Sequence, residues 1–168
     1  MNKLLALAAV PLMTACAGGA PQYVDLLSVG TTESQIVTKF GAPAERRQLP
    51  GGGYSVDYPQ EPLGYQNWRI NFSPDGRMVS REQLIDEAYF ARLKPGMTRT
   101  EVMQTLGRHA EESAYPNLNE SVLSWRYIEF GNRLMFFNAH FDGMDGREKF
   151  KYSSRTPDPV QQSVDSGG

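Results

Sequence analysis

A block of apolar spacing punctuated by glycine recurs twice along the chain. In residues 23–41 it reads Tyr23 and Leu27, Gly30, Thr32, Ile36 and Phe40, then Gly41. Residues 89–107 lie over it without a gap as Tyr89 and Leu93, Gly96, Thr98, Val102 and Leu106, then Gly107. Tyr, Leu, Thr and both glycines are identical in the two copies, and Gln35 faces Glu101 in the register. An internal repeat is a stronger guide to architecture than any single motif.

Apolar residues four apart share a helical face, so each block predicts two short helices. Gly30 and Gly96 are expected to close the first helix in the left-handed conformation, which glycine adopts without a Cβ clash. Thr32 and Thr98 are expected N-caps of the second, each with Gln or Glu three residues later to complete a capping box. Gly41 and Gly107 then stop it.

After each block the period changes from helical to alternating. Tyr54, Val56 and Tyr58 alternate with polar residues, as do Trp68, Ile70 and Phe72, which predicts half-buried strands. The residues at 73–76, Ser-Pro-Asp-Gly, form a turn into a third strand at 77–80. In the second copy, strands are expected at 122–130 and 134–141 around a two-residue Gly131-Asn132 hairpin turn. Residues 142–146 then turn into a strand at 147–152. Residues 153–168, rich in Pro, Ser, Gln and Gly, are expected to be a disordered tail. The predicted fold class is α+β: two tandem repeats, at 23–85 and 86–152, each two short helices packed on a three- or four-stranded antiparallel sheet.

The first residues change the picture from a plain domain to an exported one. Lys3 precedes an apolar run at 4–10 that is too short to span a bilayer. It leads into Leu12-Met13-Thr14-Ala15-Cys16, small residues ahead of the sole cysteine. That arrangement resembles a bacterial lipobox, with residues 1–15 as signal peptide, Cys16 as the lipidated residue and 16–22 as a tether. The usual leucine three residues before the cysteine is Met13 here. The resemblance implies a membrane anchor through Cys16, and Ala17 rather than Asp after it implies outer-membrane sorting, facing the periplasm.

Composition narrows the partners. With 168 residues, 40% of them hydrophobic, the chain can build one medium or two small cores. A net charge of −2 and no basic cluster argue against nucleic acid. His109 and His140 are the two histidines, with no free cysteine beside them, so no zinc site is expected. The Asp142-Gly143-Met144-Asp145-Gly146 run lacks the distal Glu of a calcium loop and reads as a turn. Gly51-Gly52-Gly53 has no Lys-Ser/Thr after it and also reads as a turn. No Gly-x-Ser-x-Gly and no motif grouping serine, histidine and acid occurs. The expectation is therefore a non-enzymatic protein with no catalytic residues, cofactor or metal.

The positive signal lies in the aromatics. Tyr54, Tyr58, Tyr65 and Trp68 in the first copy, and Trp125, Tyr127, Phe136 and Phe137 in the second, exceed what one sheet face needs. Adjacent Phe136 and Phe137 point to opposite faces of a strand. Two alternatives follow. Either the second face packs against the other unit or a loop, or it is exposed, with Trp68, Trp125, Tyr127 and Tyr58 as partner-binding anchors.

The lipobox, the Leu-x-x-Gly-x-Thr-x-x-[Gln/Glu]-[Ile/Val]-x-x-x-[Phe/Leu]-Gly block and strands ending in Phe-x-x-Asp-Gly together resemble the SmpA/OmlA (BamE-like) outer-membrane lipoprotein family. That resemblance spans 23–80 and 89–152 and implies two helices on a three-stranded sheet, with an accessory role in β-barrel assembly. This chain carries two copies of the module. Tandem copies are also similar to the β-lactamase-inhibitor protein family, whose aromatic sheet grips an enzyme. The function implied is binding of other envelope proteins in outer-membrane assembly or integrity. The alternative is an inhibitor or sensor module that binds a periplasmic enzyme or ligand.

Overall fold

The computed structural model describes Val24, residues 27–145 and residues 147–159. Cys16, the signal peptide, the tether, Tyr23 and Gly146 lie outside the described residues. The first unit comprises α1 (Glu33–Phe40), β1 (Glu45–Gln48), β2 (Tyr54–Pro59), β3 (Asn67–Phe72) and β4 (Met78–Gln83). The second comprises α2 (Glu87–Phe90), α3 (Arg99–Leu106), β5 (Glu111–Tyr115), β6 (Glu120–Glu129), β7 (Arg133–Asp142) and β8 (Lys149–Pro157), with a 3-10 turn at Pro116–Leu118. Each unit has its own four-stranded antiparallel sheet, ordered β1-β2-β3-β4 and β5-β6-β7-β8. The fold is α+β in two sheet-based units, and the repeats do not share one continuous sheet.

Both capping boxes form. Thr32 Oγ1 accepts from Gln35 N at 3.3 Å while Gln35 Oε1 accepts from Thr32 N at 2.9 Å. Thr98 and Glu101 do the same at 3.1 and 2.7 Å. Gly41 and Gly107 cap the two helices at φ 81° and 75°. Each helix then buries one apolar pair, Ile36 with Phe40 and Val102 with Leu106.

Gly30 and Gly96 do have positive φ, 89° and 92°, but neither is seen to close a helix. They occupy the third position of tight turns in which Thr31 N donates to Ser28 O and Met97 N to Lys94 O, each at 3.1 Å. A turn of that kind needs φ above zero at its third residue, and Pro95 suits its second. The turn points each glycine at its own unit's last strand. Gly30 N donates to Met78 O and Gly96 N to Phe150 O, both at 2.8 Å.

The helix expected at 23–27 falls largely outside the described residues; among the described residues unit one has one α-helix, and unit two a four-residue and an eight-residue helix. Three further expectations are corrected. The polar segments Glu45–Gln48 and Glu111–Tyr115 are edge strands, mostly exposed, and so lack the alternation that marks a half-buried strand. The hairpin loop is three residues, because pairing stops at Glu129 and Arg133 and both Phe130 and Gly131 take positive φ. The tail does not begin at 153, since β8 pairs with β7 as far as Pro157 opposite Met135.

The layers run helix, sheet, helices, sheet. α1 packs on one face of sheet one, burying Ile36 and Phe40 against Tyr54, Val56, Tyr58, Ile70 and Phe72. α2 and α3 pack on sheet two, burying Phe90, Val102 and Leu106 against Leu123, Trp125, Phe137 and Phe141. The other face of sheet one meets α3 through polar groups. Arg69 Nη2 donates to Gln104 O at 2.8 Å, and Asn67 Nδ2 donates to Leu106 O and Arg108 O at 2.9 and 2.8 Å. Asp57 is buried in that layer, held by Arg47 at 2.7 Å and by Arg69 at 2.8 Å. No helix among the described residues is long and apolar enough to cross a membrane.

Candidate functional site

The aromatics nominated as anchors are mostly core. Relative exposure is 0% for Trp125, 2% for Tyr127 and 3% for Tyr58. Trp125 Nε1 donates to Gly107 O at 3.2 Å, and Tyr58 OH donates to Gly41 O at 3.0 Å. The two occupy matching places, each capping a carbonyl at the C-terminal glycine of its own unit's helix. Tyr127 meets Phe90 edge-on at 5.1 Å and donates to Glu129 Oε1 at 3.0 Å. Trp68 is half-buried against the first core, with Nε1 donating to Gln66 Oε1 at 3.1 Å. These four residues therefore do not come together on an exposed face.

The sheet face left open among the described residues is the outer face of sheet two. Along β6 and β7, Leu123, Trp125, Phe137 and Ala139 point to the helices, which turns Val122, Ser124, Phe136, Asn138 and His140 outward. On β8 the outward set is Tyr152, Ser154 and Thr156. A register shift between His140 and Phe141 accommodates Lys151, whose Nζ donates to Glu120 Oε2 at 3.1 Å. Together these strands form a trough of about 500 Å³, rimmed by Tyr115 and Leu118 on one side and by Tyr152 on the other. Those three rim residues are 48%, 67% and 47% exposed.

The floor is a continuous hydrogen-bonded row. Ser124 Oγ donates to Asn138 Oδ1 at 2.7 Å, and Asn138 Nδ2 reaches Thr156 Oγ1 at 3.1 Å and Ser154 Oγ at 3.5 Å. His140 Nε2 lies 2.8 Å from Ser154 Oγ, and His140 Nδ1 lies 2.8 Å from Glu120 Oε1. The Tyr152 ring stacks on the imidazole at 4.3 Å. Hydrogen bonding from His140 holds the Glu120 carboxyl below its ordinary value, against the opposing effect of burial, and Lys151 adds to it. An ionised carboxylate can only accept, so His140 Nδ1 is the donor to Glu120, and in the neutral ring Nε2 is then the acceptor for the Ser154 hydroxyl.

Arg126 closes the other end, its guanidinium 4.8 Å over Phe136. Arg126 Nε donates to Asp158 Oδ2 at 2.9 Å and Nη2 to Glu111 Oε1 at 3.0 Å, and the guanidinium also bonds the Pro62 carbonyl. Its backbone N, on the β6 edge that β5 does not reach, donates to Glu61 Oε1 at 2.9 Å.

Sequence reasoning missed the Ser154, His140 and Glu120 grouping because the three residues come from three strands and no local motif joins them. The usable signal was alternation phase: once Leu123, Trp125 and Phe137 are assigned inward, their neighbours fall on one outward face. Among the described residues no group of three or more His, Cys, Asp or Glu is placed to hold a metal ion. No protein-family model matches the chain, and no curated protein matches it.

Proposed function

We propose that this chain is an outer-membrane lipoprotein, anchored through Cys16, that recognises another envelope protein on the outer face of its second sheet. Its two units are read as tandem copies of an SmpA/OmlA-like module, supported by the paired capping boxes, the paired glycine turns and the matched Tyr58 and Trp125 caps. The observation that carries the recognition reading is the trough rim. Tyr115, Leu118 and Tyr152 stand exposed around a preorganised polar floor, whereas sheet one packs α1 on one face and meets α3 through Arg69 and Asn67 on the other. Rigid aromatics beside hydrogen-bonding groups are what partner surfaces use, because they lose little side-chain entropy on docking.

The test is crosslinking in intact cells followed by identification of what copurifies. Tyr115→Ala and Tyr152→Ala are expected to lose capture with near-normal melting, each weakening binding by about 2 kcal/mol. Trp125→Ala is expected instead to lower stability by about 3–5 kcal/mol. Cys16→Ser is expected to move the protein out of the membrane fraction, since two or more acyl chains give stable anchoring. Unchanged capture in both tyrosine variants would remove the rim from the interface. A soluble, unlipidated wild-type protein would remove the anchor. Barrel-assembly proteins in the captured set support an assembly role, and one soluble periplasmic enzyme would mark an inhibitor instead.

A further inference from the structure

We propose that the trough floor carries a serine nucleophile, with Ser154 attacking the carbonyl of a small carboxylic ester, His140 as its base and Glu120 positioning the imidazole. Such constellations are recognised by geometry and role rather than by sequence order. The two contacts that define one are both present at 2.8 Å, Ser154 Oγ to His140 Nε2 and His140 Nδ1 to Glu120 Oε1. With Nδ1 turned to Glu120, Nε2 faces the hydroxyl, and in the neutral ring that nitrogen is the acceptor a general base requires. Lys151 on the second oxygen of Glu120 and the Tyr152 ring stacked on His140 fix the imidazole from two directions.

A nucleophile also needs a donor for the oxygen that gains charge. The inner strand β7 is paired on both sides, so the donor within reach on the trough floor is one of its side chains. Asn138 Nδ2 lies 3.5 Å from Ser154 Oγ, at the outer limit of a hydrogen bond, and can turn to an oxyanion formed beside that atom. The trough of about 500 Å³ has room for a small acyl group against Val122 and Phe136. In the first step a bond forms between Ser154 Oγ and the carbonyl carbon while the hydroxyl proton passes to His140 Nε2. The ester C–O bond breaks and the alcohol leaves with that proton. Water repeats the sequence on the acyl-serine, releasing the carboxylic acid and restoring the hydroxyl. This inference is independent of partner recognition, because purified protein and a small ester suffice to examine it.

The experiment uses the full-length chain purified in detergent. A fluorophosphonate probe is expected to form a covalent adduct at Ser154, located by peptide mass spectrometry. Hydrolysis of p-nitrophenyl acetate is expected to fall about 100-fold or more in Ser154→Ala and His140→Gln, with melting unchanged. Glu120→Gln should lower kcat while leaving KM unchanged, a split that a merely structural role would not produce. The adduct is sought on wild-type protein, so the outcome does not depend on the variants folding. No adduct at Ser154, or hydrolysis unaffected by Ser154→Ala, overturns the proposal.

Discussion

Glu61 is a carboxyl buried where the loop after β2 touches β6. Burial pushes its pKa up to about 8, outweighing the hydrogen bond from Arg126 N and the nearby guanidinium. Glu111 and Asp158 add to the rise, and Oε2 has no hydrogen-bond partner. The folded state therefore keeps the proton where the unfolded chain, near 4.5, has already released it. More protons bound when folded means that stability falls as pH rises. The contribution is fully present below about 4.5, declines through the interval, and is gone above about 8. Melting temperature followed from pH 4 to 9 is expected to drop across that window in wild type and to drop less in Glu61→Gln. Parallel curves for the two proteins would show that this carboxyl does not titrate as its burial dictates.

At the scale of elements, the turn and cap leading into α3 test the repeat. A Cβ on Gly96 would meet nothing within 4 Å, so the cost of Gly96→Ala comes from its φ of 92° alone. That penalty is about 1–2 kcal/mol. Thr98→Ala removes one cap and should cost about 1 kcal/mol. Chemical denaturation of both variants checks the two figures, and silence at both sites would detach the repeated motif from folding. What was legible here was local chemistry. Thr-x-x-Gln and Thr-x-x-Glu state their own hydrogen bonds, and Tyr54-x-Val56-x-Tyr58 states its own face. Edge strands such as Glu45–Gln48 were illegible because their partner is supplied by β2, not by their own pattern. The aromatic site failed for a related reason. Alternation places Trp125 and Tyr127 together on a face, but only the position of α2 and α3 determines that this face is the covered one.

For the molecule as a whole, the joint between units is polar and mostly buried, centred on Asp57, Arg69 and Asn67. Arg69→Met would leave Asp57 with Arg47 alone and remove the bond to Gln104 O. Breaking a buried pair from one side costs about 3 kcal/mol or more. Wild type is expected to melt in one transition by calorimetry, and Arg69→Met in a broader or split one, as the units lose one of their ties and keep those of Asn67 and Arg126. A single unshifted transition in the variant would show that the coupling lies elsewhere. This stacking also gives the two copies different histories to live under. The far side of the first sheet is committed to adhesion, and a change there is felt by the neighbouring copy. The far side of the second sheet, apart from Arg126 at one end, carries no neighbouring unit. Two sheet-based units stacked in this way leave one sheet surface largely outside the joint, and on that surface a new activity can be tried with little loss of the scaffold.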